Sequence, residues 1–533
     1  MQNKIVENWL TNVGELTFTI PFCQLLLSKG YRVVHISSQG PLEQGKDIIA
    51  VKGGRVHCYQ LKCGNINGKV WRQIKSEIDE LVELPPKHPS LPAKVDEWDA
   101  YLVTNGGIAN PTARTIQDYS EAKEETGHRP LRTLVGGELA QDFAEHFGDF
   151  LPVEVLDLQL FLELYNQSGR YDLPCEKFKR YFESFFTSHS TGSRQKKAEA
   201  VRAALILCSY LLTYEHAAGN RIEIIKAYTL LLASMYYHAE NNGLRASLWK
   251  DTEQLIYDAI EIEFRQLIDE LATHPTDFVE PDIGLLSESM TYKLRCNEIL
   301  GYLSAYLNYC HLKGSAPYRL PDILAAIEKV KGHVYIAGEC VAPLAINFGL
   351  ASHVMGSKQQ AAMSWTGLLQ EILTANTADA PGLASPYYTM SQAVEWSLGI
   401  SENRITESFQ LRSFSLRSVI LLLARTGQRG VLTEAWKQVS FISQSEVIPD
   451  TPADYLLWKI PSGPQTERFA NCPQSWAELV AESNADYTEN LPQVLRDRAY
   501  FLPFLINVMP HRLNHRITLT LFNALDSISL QTR

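Results

Sequence analysis

Apolar residues recur along the first part of this chain with two different periods. Around 15–29 they fall at helical spacing, and the run ends at Gly30, a residue type suited to a helix C-cap. Tyr31 to Ile36, Asp47 to Val51 and Val56 to Lys62 read instead as strands, the last two flanking Gly53-Gly54. Val70, Ile74, Ile78 and Leu81 return to helical spacing, which predicts a helix over 70–84 stopped by Pro85-Pro86. A strand at 100–104, a helix over 110–126, a strand at 131–135 and a helix over 138–147 complete an α-β-β-β-α-β-α-β-α order, the signature of a mixed α/β domain. From about 155 the strands disappear, and the segments 195–216, 221–242, 246–272, 287–311, 382–398, 405–425 and 490–507 carry helical period. The expected organisation is an α/β domain over 1–150 and a large all-α region over 151–533, with proline-rich spacers at 276–284 and 447–465 as candidate joints or long loops.

Composition narrows the classes of function. The 533 residues suit roughly two to four domains. With 49 basic against 60 acidic side chains the formal charge is −11, so any nucleic acid must meet a local positive patch rather than a basic body. The nine cysteines are sparse, odd in number and without a CxxC pair, which fits reduced thiols better than disulfides or zinc. The first residues carry Glu7 and Glu15 and lack a basic start followed by an apolar run, so no export is expected. No apolar stretch approaches the ~20 residues that cross a bilayer, and a cytoplasmic protein without a membrane partner is the expectation.

Candidate chemistry sits on the strand pair around Gly53-Gly54. A two-residue hairpin loop there pairs Lys52 with Arg55 and places Asp47 opposite Gln60, with Cβ atoms about 4.5–5.5 Å apart. Side chains alternate along a strand, so Lys62 emerges on the same face as Gln60. The remainder of both strands is largely apolar, and a carboxylate, an amide and a lysine gathered there need either an Asp47–Lys62 ion pair or a metal ion to offset their burial. Hairpin geometry alone leaves both readings open.

Gly45-Lys46-Asp47, twelve intervening residues, then Gln60-Leu61-Lys62 resembles the D…(D/E/Q)xK motif of PD-(D/E)xK nucleases, in the glutamine form of Mrr-like restriction endonucleases. Cys23 to Val33 resembles that family's helix-to-strand entry, and Leu102 to Gly106, Leu131 to Val135 and Gly137-Glu138-Leu139 resemble its second half. The resemblance covers about residues 10–150 and implies a restriction-endonuclease-like domain, a central mixed sheet flanked by helices. It implies that Asp47, Gln60 and the Leu61 backbone carbonyl hold Mg²⁺ or Mn²⁺, while Lys62 orients or helps deprotonate the attacking water and stabilises charge on the phosphate. Gln60 in place of the usual acid leaves one fewer negative charge for the metal. Glu15 is the candidate for the acid on the family's first helix. It lies one turn before Thr19, where that acid usually stands, and Pro21 is expected to interrupt the helix. The family's proline before the aspartate is replaced by Lys46. The implied function is divalent-metal-dependent hydrolysis of DNA phosphodiesters in prokaryotic defence. The helical region would then recognise DNA or a protein partner, or mediate homodimerisation.

Other signals are weaker. Lys69, Arg72 and Lys75 follow the motif, where they either touch phosphates or form an ordinary solvated face diluted by Glu77 and Glu80. Gly40 to Lys46 fits GxxxxGK, yet Asp47 and a strand follow where a phosphate loop needs a hydroxyl and a helix. His511 and His515 lie four apart without the glutamate of a zinc helix, and Cys58 and Cys63 read as core residues. Two rival readings differ from a DNA endonuclease: a degenerate nuclease fold serving as an interaction scaffold, and an RNA-directed nuclease.

Overall fold

Two glycines set the central hairpin. Gly53 and Gly54 both adopt positive φ, 59° and 82°, as a two-residue primed turn demands and as side chains resist. The turn joins β2 (Ile48–Lys52) to β3 (Arg55–Lys62), with Lys52 opposite Arg55 and Ile48 opposite Tyr59, the register expected from the sequence. The computed structural model describes residues 2–37, 44–152, 155–170, 172–273, 290–377, 379–401, 409–459, 466–469 and 474–531. The spacer at 276–284 lies outside the described residues, as does most of the GxxxxGK match, Gly40 to Glu43.

Around this hairpin forms a five-stranded mixed sheet in the order β1-β2-β3-β4-β5. β1 (Arg32–Ile36) is antiparallel to β2, while β4 (Trp98–Thr104) runs parallel to β3 and β5 (Leu131–Leu134) parallel to β4. Five helices accompany it: α1 (Gln2–Asn12), α2 (Glu15–Ser28), α3 (Gly68–Glu83), α4 (Asn110–Glu125) and α5 (Gly136–Phe147). Asn67 caps α3 by accepting from the N–H groups of Lys69 and Val70. The apolar stripe of α3, Trp71, Ile74, Ile78, Leu81 and Val82, packs with Ile49, Val56 and Cys58 of the hairpin and Ala100 and Leu102 of β4. Each large side chain buried there contributes about 1.5–3 kcal/mol. On the other face Phe22 of α2 meets Tyr59 edge-on at 5.4 Å.

Pro21 does not interrupt α2, which runs unbroken from Glu15 to Ser28. A proline inside a helix removes one backbone hydrogen bond and normally costs about 3 kcal/mol. Here every residue from Phe18 to Leu26 is buried, and that packing holds the helix together.

The chain divides into two compact units, one of Met1–Met235 with Leu244–Glu263, the other of Tyr236–Gly243 with Phe264–Arg533. The first therefore extends beyond residue 150, where the sequence places a boundary. Trp9 of α1 explains why: its ring lies 5.1 Å from Phe143 of α5 and 5.0 Å from Tyr210, so sheet-flanking and later helices share one aromatic core. Thr17 likewise reaches His216 at 3.3 Å.

The second unit is mainly helical, including Met290–Lys313, Ala342–Val354, Lys358–Ala375, Leu416–Arg425 and His515–Gln531. It is not all-α. A small sheet joins β6 (Arg412–Ser413), β7 (Ser443–Val447) and β8 (Thr466–Phe469). β6 is too short to show a period, and β7 is a polar run without apolar alternation. The spacer at 447–465 falls within this unit, and its residues 460–465 lie outside the described residues. No described helix is long and apolar enough to cross a membrane.

Candidate functional site

The hairpin register brings Asp47 and Gln60 together. Gln60 Nε2 donates to Asp47 Oδ2 at 2.7 Å, and the Leu61 backbone N–H donates to the same oxygen at 2.6 Å. It is thus the N–H of Leu61 that is seen to meet Asp47. Gln60 is only 3% exposed, and its Oε1 is shielded from solvent with no hydrogen-bond partner among the described residues. An orphan carbonyl oxygen of this kind costs about 1–3 kcal/mol unless something else occupies it.

Lys62, two residues along the same face, does not pair with Asp47. Its Nζ lies 3.2 Å from Glu15 Oε1 and 3.1 Å from Glu77 Oε2. Burial works against the ammonium, but Glu15, Glu77 and Asp47 together outweigh it, and the pKa of Lys62 is raised above that of an ordinary lysine. Glu15 is the first residue of α2, and from there its carboxylate reaches Lys62 at the end of β3. Thr19 turns away, donating its hydroxyl to the Glu15 carbonyl at 3.0 Å. The carboxylate one turn early thus takes the position beside the lysine, and Thr19 only supports the helix.

Glu77 escapes the sequence reading, which counts it with Glu80 as a diluent of a basic patch. The available signal was its place on α3 between Ile74 and Ile78, beside the buried stripe rather than opposite it. The loop before β2 fixes that turn of α3. Gly45 has φ of 68°, and a β-carbon there would overlap the Glu77 carbonyl oxygen. Lys46, buried at 2% exposure, donates to the carbonyls of Gln44 at 2.8 Å and Glu80 at 3.2 Å. Burial pulls its pKa down to about 8. Where the family resemblance leads one to expect proline, a lysine fastens the segment entering Asp47 to the helix that carries Glu77.

The cluster therefore holds, among the described residues, three carboxylates, Glu15, Asp47 and Glu77, against one ammonium. Among the described residues no three acidic, histidine or cysteine side chains converge closely enough to hold a metal ion as they stand. Two of the carboxylates are drawn onto Lys62 instead. The donor chemistry still fits a hard divalent cation: all-oxygen ligands, surplus negative charge and the orphan Gln60 Oε1 beside Asp47. Lys69, Arg72 and Lys75 are exposed on α3. Lys75 leans over the Tyr119 ring at 5.9 Å, and none of the three bonds to the cluster.

Other candidates resolve into architecture. Cys58 is buried in the core, and all eight described cysteines are free thiols. His511 belongs to a short 3-10 turn and His515 opens the following helix, so they share no helical face. His515 Nδ1 lies 2.5 Å from Glu446. A groove of about 1110 Å³ in the second unit is lined by residues including His353, Lys358, Met363, Arg425 and Asp526, none of which the sequence singles out. Comparison with protein-family models, with curated proteins and with solved structures returns no match to this chain.

Proposed function

We propose that the first unit is a divalent-metal-dependent endonuclease that hydrolyses DNA phosphodiesters at the end of β3. The observation that carries this reading is the convergence of Asp47, Gln60 and Lys62 on one strand pair, with surplus negative charge and an unmatched amide oxygen. A bound Mg²⁺ or Mn²⁺ would be held by Asp47 and Gln60 and would supply Lewis-acid neutralisation of phosphate charge. Asp47 is oriented for this by two donors on one oxygen, the Gln60 amide and the Leu61 N–H. Lys62, held at the same end of β3, would orient the attacking water and donate hydrogen bonds to the phosphate oxygens where charge develops. The helical region is assigned recognition or regulation on fold logic.

The test is cleavage of plasmid, linear and single-stranded DNA and of RNA, with Mg²⁺ or Mn²⁺ against EDTA, by wild type, Asp47→Ala and Lys62→Ala. Metal-dependent cutting that falls by about 100-fold or more in both variants is the expected result. Cutting of RNA alone would redirect the substrate. One observation favours a second reading, a scaffold with a silent site: Lys62 is closed between Glu15 and Glu77. Absence of both cutting and Mn²⁺ binding would establish that reading instead.

A further inference from the structure

Glu77 stands in an unusual position for a glutamate on an amphipathic helix. Its side chain is 47% exposed, so water is within easy reach, yet Oε2 is turned inward and shielded from solvent. That oxygen faces an ammonium already matched by Glu15 at 3.2 Å. A second carboxylate on Lys62 overcompensates the charge and, with Asp47 nearby, adds like-charge repulsion that a purely structural ion pair would not require. The placement is nonetheless enforced, because Gly45 and Lys46 pin the Glu77–Glu80 turn of α3 against the segment entering Asp47. Two residues before Lys62 on β3, Gln60 contributes a neutral amide whose oxygen is buried and without a donor among the described residues.

Resting on the nuclease reading, we propose that Glu77 supplies, from helix α3, the negative charge that Gln60 withholds from the cation site on the strand pair. In the cation-free protein Lys62 neutralises Glu77. When a hard divalent cation binds, Glu77 and Asp47 provide its carboxylate charge, Gln60 adds a neutral oxygen, and Glu15 remains as the counter-ion of Lys62. The site thus has one carboxylate from the hairpin and one from the crossover helix.

Position 60 and position 77 should then be interchangeable as sources of charge. The experiment is Mn²⁺ binding to the full chain, followed by titration calorimetry and by loss of the free-Mn²⁺ paramagnetic signal, with folding of each variant checked by thermal melting. Glu77→Gln is expected to weaken Mn²⁺ roughly ten-fold or more. Adding Gln60→Glu to Glu77→Gln is expected to return the affinity to within about three-fold of wild type. Wild-type affinity in Glu77→Gln, or a double variant no better than Glu77→Gln alone, overturns the proposal. If Asp47→Asn abolishes binding while Glu77→Gln does not, this inference fails and the nuclease reading stands. If wild type binds no Mn²⁺, both fail.

Discussion

Two acidic side chains, one in each compact unit, meet opposite fates. Glu339 in the second unit is buried, and every acceptor direction of its carboxylate is used. Oε1 accepts from the Ser413 hydroxyl at 2.6 Å and the Phe414 N–H at 3.0 Å, while Oε2 accepts from the Ser415 N–H at 3.1 Å and its hydroxyl. Burial still raises its pKa, although those four donors oppose the shift. Glu77 in the first unit has the reverse arrangement, with solvent available, a shared cation and other carboxylates close by. A saturated carboxylate ties β6 and the start of the next helix to the chain before 342–354, and its chemistry is finished. An unsaturated cluster with surplus charge is maintained against its own electrostatics, and that difference is what supports the proposed reading of a site there.

That contrast is open to attack by stability measurements. The largest effect is expected at Glu339→Ala, which strands two hydroxyls and two backbone donors in the core. It should cost at least about 3 kcal/mol in urea unfolding, with Glu339→Gln markedly milder. A loss under about 1 kcal/mol for the alanine variant would remove the distinction between the two carboxylates.

Lys46 sharpens the comparison as a buried cation with only carbonyl acceptors. Its pKa is about 8 in the folded chain against 10.5 for a free lysine. Between those values the unfolded chain holds the extra proton, so stability from this group rises with pH across the window, by about 3 kcal/mol in all. Wild type should gain that increment relative to Lys46→Met between pH 8 and 10.5; parallel stability profiles for the two would contradict it.

Gly45→Ala comes next. A positive φ and overlap with the Glu77 carbonyl should together cost about 1–3 kcal/mol, accompanied by loss of Mn²⁺ binding as the turn of α3 is pushed away. The smallest effect on stability belongs to the cluster itself. Asp47→Asn and Lys62→Met should change unfolding free energy by about 1 kcal/mol or less, in either direction, while abolishing cleavage. A loss of several kcal/mol in either would make the cluster a structural ion network.

Much of the first sheet is legible from local chemistry. Gly53-Gly54 dictates the register that sets Asp47 against Gln60, and Gly30 and Pro85 mark helix ends near where they occur. Glu15 could be nominated because the family resemblance calls for an acid on the first helix, although it stands one turn before the usual place. Glu77 could not be distinguished, since a half-buried glutamate and a solvated one have the same sequence neighbourhood until α3 docks. The extent of the first unit was equally hidden, because Trp9 meets Tyr210 across some two hundred residues of chain that carry no trace of the pairing. In the second unit, Leu320–Val330 and Lys358–Ala375 are helices that the periodic reading did not separate, and β6 is held by Leu411 and Ser443 rather than by any propensity of its own.

The central strand also imposes an order of events on the growing chain. β3 joins one neighbour through a two-residue turn and the other, β4, only after the crossover of residues 63–97 has been laid down. Hairpins close in about 1–10 μs, whereas parallel pairing must first overcome the entropy of a long loop. Asp47, Gln60 and Lys62 can therefore find their register while α3 is still unplaced, and Glu77 joins them only when α3 docks. On the proposed reading, a nascent or damaged copy would carry the hairpin residues without the charge of Glu77, and docking of one crossover helix would complete the centre.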